Sequence, residues 1–292
     1  MIKTLIGKNN YLFLINDSAK EMEVHCNNLN LVNDKKLSRY NLDNKFLLIV
    51  IPNKSLIYKD FLPDNYKVKY RPALDDYKKI FGNKIIDTYE ILKNETDIYF
   101  KTDTHINMKG NYIVYKYFIE KLNNIYGINI KSHDIILSKK ECILSSLNYG
   151  IGDLTWETNL GGQIIEDKNK MDVFYYSSDV EYIYCKHKIT INDEIRILNK
   201  DLFIDINNDL QGKYITWEIM SNNILYRKNE TNETNEKLKV LIFYDSFLIS
   251  LLDLYLRSFS EVYMIKEIYN KKYIDIIKPD YIFEFRAERF LF

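Results

Sequence analysis

The longest unbroken apolar run, Lys45-Phe-Leu-Leu-Ile-Val-Ile-Pro52, has strand length and stops at a proline. An apolar run without alternation predicts a strand covered on both faces, as in α/β sheets. Shorter strands are predicted at 84–87 and 97–100, the second running directly into Lys101-Thr-Asp-Thr-His105. Residues 73–81 read as a helix between the first two strands. From 107 to 126, Tyr112, Tyr115, Phe118, Ile119 and Leu122 recur near helical spacing, with Asn107 placed to cap the N-terminus.

Between about 128 and 236 the pattern changes. Short apolar runs such as Asp172-Val-Phe-Tyr-Tyr176 and Glu181-Tyr-Ile-Tyr184 alternate with polar turns, which predicts a β-rich insertion. It ends in Lys228-Asn-Glu-Thr-Asn-Glu-Thr-Asn-Glu236, a polar low-complexity stretch that reads as a surface loop or linker. The α/β pattern then resumes with a strand at 239–243, an apolar helix at 247–259, a strand at 261–265, a helix ending before Pro279 and a last strand at 281–285. Strands alternating with helices on both sides of the insertion predict a single domain over 1–292. Its core is a three-layer α/β/α, flavodoxin-like, mostly parallel sheet.

Charge narrows the function. The 292 residues carry 41 basic and 41 acidic side chains, a balance that argues against nucleic acid as a partner, since that needs a cationic surplus. No apolar run approaches the roughly 20 residues of a membrane span, and the first residues lack a signal peptide's features. A cytoplasmic location follows, or an extracytoplasmic one if an export segment lies outside this sequence. Cys26, Cys142 and Cys185 are widely and irregularly spaced, so free thiols are expected, and no zinc pattern is present. The sequence shows neither a His-x-x-x-His pair nor a phosphate-binding glycine loop, so no metal and no cofactor are expected.

Ligands of open parallel sheets bind beyond the carboxyl ends of the strands. Two polar clusters fall at such ends, Asp103-Thr-His105 and Asp245-Ser246. A serine on a tight turn at a helix start is displayed as a nucleophile is, with its own N–H and the helix dipole favouring an oxyanion. It needs an imidazole to take its proton and a carboxylate to orient that imidazole, which His105 and Asp103 supply. The same residues also read as a helix cap, a surface histidine and an Asx-turn. His25, His133 and His187 have no such company. Trp156, Trp217, Tyr175 and Tyr176 offer faces to a glycan or, equally, to a core.

Taken in order, the motifs resemble the alginate O-acetyltransferase family of SGNH-hydrolase-like proteins. Gly7-Lys-Asn-Asn-Tyr-Leu-Phe13 is similar to the family's opening. Val50-Ile-Pro-Asn-Lys54 with Tyr58, Lys101-Thr-Asp-Thr-His105 with Asn107 and Gly110, and Gly152-Asp-Leu154 follow in the family's order. Tyr244-Asp-Ser-Phe247 and Lys278-Pro-Asp280 with Glu288-Arg289 close it. Aspartate and histidine precede the serine, the reverse of generic SGNH esterases. The resemblance implies an SGNH-like fold and Ser246 as nucleophile, His105 as base and Asp103 as its orienting carboxylate. It also implies acyl transfer, most simply of acetyl, to a carbohydrate or polysaccharide. Asp245, Tyr244, Asn107, Lys54, Tyr58, Asp153 and Arg289 match family positions and are expected near substrate. The acyl donor, an ester or thioester, is consumed as substrate, and other glycan-assembly proteins are implied as partners. Tyr244 replaces a glycine and Ile106 a tryptophan, substitutions bearing on the acyl pocket and the catalytic loop. The same triad serves a carbohydrate esterase, and a fold that has lost activity serves as a glycan-binding module.

Overall fold

A computed structural model of the chain describes residues 4–32, 37–40, 45–143, 153–155, 224–229 and 237–291, with short strands at 170–175, 183–185, 190–191, 194–195 and 203–205. The first half runs from a hairpin of β1 (Thr4–Ile6) and β2 (Leu12–Leu14) through α1 (Glu21–Asn27), β3 (Phe46–Ile51), α2 (Lys54–Ile57) and α3 (Pro72–Phe81). Then come β4 (Ile85–Asp87), α4 (Tyr89–Leu92) and α5 (Met108–Tyr126). Next are β5 (Ser138–Ile143), β6 (Lys170–Tyr175), β7 (Ile183–Cys185), β8 (Thr190–Ile191), β9 (Glu194–Ile195), β10 (Phe203–Asp205) and β11 (Ile224–Lys228). The last part contains β12 (Lys239–Tyr244), α6 (Leu252–Ser258), β13 (Glu261–Ile265), α7 (Lys271–Ile277) and β14 (Tyr281–Ala287).

The main sheet has the order β10-β7-β11-β13-β12-β14-β3-β4. From β13 to β4 neighbouring strands are parallel. Beyond β13, β11, β7 and β10 extend the sheet antiparallel, so part of the region between 128 and 236 adds strands to the main sheet. The pairs β5–β6 and β8–β9 form separate ribbons.

Both faces of the parallel part are covered, which is why β3 reads as an unbroken apolar run. Side chains alternate across a strand. Leu47, Ile49 and Ile51 enter one core with Val114, Tyr115 and Phe118 of α5 and Leu254 and Tyr255 of α6. Phe46, Leu48 and Val50 enter the other with Leu74, Tyr77 and Phe81 of α3 and Tyr273 of α7. Helix α3 starts on Pro72, whose missing N–H costs nothing in a first turn. Asn107 caps α5 as its sequence position predicts, its side chain accepting from Gly110 N at 3.1 Å. The result is the three-layer α/β/α sheet expected from the alternation of strands and helices. No helix among the described residues is long and apolar enough to cross a membrane.

Two expected elements differ. Residues 97–100 are not a strand of the sheet: Asp97 takes φ +56°, and Tyr99 bridges only Ile106, seven residues on in the same loop. The Tyr58 hydroxyl accepts from Ile98 N at 2.9 Å, so a side chain takes the place of a neighbouring strand. The helix expected over 247–259 is two pieces, a 3-10 turn at Ser246–Leu251 and then α6, broken where Leu251 adopts φ −145°.

Candidate active site

The loop after Ile98 turns back on itself. Asn107 N donates to Ile98 O at 2.9 Å and Phe100 N to His105 O at 3.3 Å, so Lys101–His105 form the tip of a closed hairpin-like loop. Within the tip, Asp103 Oδ1 accepts from the backbone N–H of His105 at 2.8 Å and from its Nδ1 at 2.5 Å. That fixes Nδ1 as the protonated nitrogen and leaves Nε2 as an acceptor.

Ser246 lies where β12 ends. Asp245, extended at φ −110°, accepts from Phe247 N at 2.9 Å through one oxygen and from Ala287 N at 2.7 Å through the other. The turn is thus tied to its own first residues and to the end of neighbouring β14. Asn111 of α5 adds a third tie, donating to Phe247 O and to Ser250 Oγ, both at 2.6 Å. The two segments meet at the serine: the Ser246 hydroxyl stands 2.7 Å from His105 Nε2. Asp103, His105 and Ser246 form one chain of hydrogen bonds across 141 residues of sequence. The His105 ring packs 5.2 Å from that of Phe247, the residue after the serine.

Electrostatics follow from the pairing. Burial by itself raises a carboxyl, but the His105 imidazole and the hydrogen bonds to Asp103 outweigh it and hold that carboxyl well below the usual range. Burial by itself lowers a histidine, yet Asp103 first and Asp153 second overcome it, raising His105 above the ordinary 6.5.

The remaining residues expected near substrate are placed as follows. Tyr244 is fully buried in the core shared with α5 and α6, because its position in β12 has the parity of Val240 and Ile242. Burial pushes its phenol upward, and its hydroxyl has no partner among the described residues. Lys54, 4% exposed, donates to Leu12 O at 2.7 Å, Lys101 O at 2.8 Å and Asp103 O at 3.1 Å. Burial drops its amine to about 7 despite the nearby Asp103, Asp153 and Glu21. Tyr58 and Asn107 hold the ends of the loop that carries Asp103 and His105, Asn107 through a 2.7 Å bond to Asp97 O. Asp153 borders Asp103 and Thr104. Arg289 donates to Thr104 Oγ1 at 3.2 Å, lies 3.7 Å from Glu21 and stacks 4.9 Å over the Phe247 ring. Instead of lining an open surface, most of these side chains brace the loops behind the triad. Trp156, Trp217 and Tyr176 lie outside the described residues.

Asp103, His105 and Asp153 bring ligand-type atoms within 4.8 Å of one another. Those atoms already serve hydrogen bonds among themselves and to backbone and hydroxyl donors, which suits a proton-transfer site better than a cation. Thr104 and Asn111 are the supporting residues that sequence reasoning missed. Asn111 had a usable signal, a polar residue on the apolar stripe of α5 beside Val114, Tyr115 and Phe118.

No protein-family model matches the sequence, and no curated protein matches it. Solved structures do. Bacillus cereus PatB1 with a sulfonyl adduct aligns at a TM-score of 0.65 and 15% identity, over 99% of this chain and 96% of that one. A second PatB1 structure gives 0.61 at 17% identity over the same shares. A DHHW family protein from Eubacterium siraeum gives 0.62 at 14% identity, over 100% of this chain and 92% of that one. The chain therefore shares its α/β/α fold, over nearly its whole length, with PatB1 and the DHHW family protein.

Proposed function

We propose that this protein is a serine acyltransferase that moves an acyl group, in the simplest case acetyl, from a donor ester or thioester to a carbohydrate hydroxyl. The observation that carries the reading is the continuous Ser246–His105–Asp103 relay of 2.7 and 2.5 Å at the carboxyl end of the parallel strands. His105 Nε2 takes the Ser246 proton as Oγ attacks the donor carbonyl, and the Ser246 N–H at the start of the turn faces the developing oxyanion. The tetrahedral species collapses as His105 returns the proton to the leaving group, leaving acyl-Ser246. An acceptor hydroxyl then gives its proton to His105 while its oxygen attacks the acyl carbon, and the same proton restores Ser246. Asp103 stays ionised throughout and stabilises the transient imidazolium. The carbohydrate acceptor is supported by the motif order, which resembles that of polysaccharide O-acetyltransferases.

The test is incubation with p-nitrophenyl acetate, reading nitrophenolate release and an acetyl mass increment on the protein beside Ser246→Ala and His105→Ala. Release and acylation confined to the parent are expected. Acylation that persists in Ser246→Ala refutes the assigned nucleophile. Adding oligosaccharide acceptors then separates transfer, seen as acetylated sugar, from hydrolysis to acetate.

A further inference from the structure

The relay does not end at Asp103. The turn Asp153–Thr155, more than a hundred residues after β3 and inside the region between 128 and 236, meets the loop that carries Asp103 and His105. Its backbone Asp153 N donates to the outer oxygen of Asp103 at 2.9 Å. The Asp153 carboxylate accepts from Thr104 N at 2.7 Å and from Thr104 Oγ1 at 2.5 Å, gripping the residue between Asp103 and His105. Asp153 Oδ2 also stands 3.6 Å from His105 Nδ1. The turn is itself anchored: Leu154 is buried against Leu12, and Leu154 O accepts from Thr4 Oγ1 at 2.7 Å. Both carboxylate oxygens and the backbone N–H of Asp153 are thus spent on two consecutive residues of one loop, Asp103 and Thr104, which is the pattern of a brace and not of a side chain reaching for substrate.

We infer that Asp153 is a positioning residue for the triad, a second carboxylate that holds Asp103 and Thr104 in place and stabilises the protonated imidazole of His105. The inference rests on the proposed role of His105 as base. The charged and titratable groups around His105 are Asp103 on its own loop, Asp153 on the turn, Arg289 beyond β14 and, behind Asp103, Lys54 of α2. Arg289 opposes protonation of the imidazole, and the two carboxylates favour it. Burial and the adjacent Asp103 raise the Asp153 carboxyl, so the pair is held together against its own repulsion by Thr104, the backbone N–H groups and His105.

Asp153→Asn keeps the size and the acceptor for Thr104 N while removing the charge. Two readouts separate positioning from bulk stability: the His105 titration by NMR, assigned against His105→Gln, and kcat and KM for p-nitrophenyl acetate against pH. Removing a carboxylate at this distance is expected to lower the His105 midpoint by about one unit and to move the acid limb of kcat/KM with it. The plateau kcat is expected to fall about tenfold with KM unchanged. A folded Asp153→Asn protein whose His105 midpoint stays put, or whose KM alone rises, overturns the inference. If Asp153→Asn does not fold, Thr104→Val serves instead, with lower kcat at constant KM expected and unchanged kcat overturning it. The NMR shift does not depend on turnover: its presence without any acyl-enzyme in the parent would leave the Asp153–His105 coupling standing and refute the proposed function instead.

Discussion

Lys54 offers a quantitative test of how the catalytic loop is held. The residue is 4% exposed, and its ammonium donates to three backbone carbonyls, two of them in the loop that carries Asp103. Burial lowers its midpoint from 10.5 to about 7, so the native state binds this proton more weakly than the unfolded chain. A group shifted in this direction makes stability rise as pH climbs from about 7 towards 10.5. At about 1.4 kcal/mol per pH unit, burying Lys54 costs about 5 kcal/mol of stability at pH 6, where it stays charged, and about 2 kcal/mol at pH 9, where the native state holds it neutral and the unfolded chain holds it charged. Lys54→Met removes that cost along with the three hydrogen bonds. The lost bonds and altered packing enter almost equally at both pH values, so the stability of the variant relative to the parent is expected to drop by about 3 kcal/mol from pH 6 to pH 9. Urea unfolding followed by far-UV circular dichroism measures this, with m-values checked for constancy. A relative stability that does not change with pH refutes the argument that the amine is desolvated. The same variant is expected to turn over p-nitrophenyl acetate more slowly, because Lys101 O and Asp103 O lose their common tether; an unchanged kcat would show that the loop holds its shape without it.

Three further outcomes follow from the geometry. Burial would lower His105, but Asp103 and Asp153 raise it, so the acid limb of kcat/KM is expected above the ordinary 6.5; Asp103→Asn should move that limb to lower pH and reduce kcat by about 10⁴-fold, read from pH–rate profiles. Gly110→Ala places a methyl 2.4 Å from Ile106 Cγ1 and 2.7 Å from Ile98 O, and thermal unfolding should show a loss of about 1–3 kcal/mol. Tyr244→Phe removes a buried hydroxyl that has no partner among the described residues and should stabilise the protein by about 1 kcal/mol without altering kcat; a marked change in rate would place that hydroxyl in the site.

Much of this architecture was legible in the sequence because burial and periodicity leave marks on residue type. The apolar run at β3 announces a strand covered twice, and the stripe on α5 with Asn107 before it announces a capped helix. The strand assigned to 97–100 failed for an equally physical reason. Apolar residues there satisfy their backbone through the Tyr58 hydroxyl and a bridge within the loop, and neither partner is adjacent in sequence. Likewise, β11, β7 and β10 read as an insertion, since nothing in a strand's own sequence says that it will pair with β13 rather than fold apart.

The candidate site divides along the same line. Asp103, His105 and Ser246 stand out because their side chains could do chemistry, and Ser246 also because it follows β12 at a strand end, where an open parallel sheet collects its ligands; the segment before Asp103 is not such a strand. Lys54, Tyr58, Asp245 and Asn111 spend their polar atoms largely on main-chain groups of the catalytic loop and the serine turn. A backbone carbonyl or N–H is the same at every position, so a residue chosen to meet one leaves no complementary partner in the sequence. Tyr244 shows the converse. Read along the chain, it adjoins Asp245 and Ser246 and reads as narrowing an acyl pocket, but strand alternation turns its ring into the core while Asp245 turns back to the neighbouring strand. Bulk at that position is therefore felt as packing inside the core that β12 shares with α5 and α6.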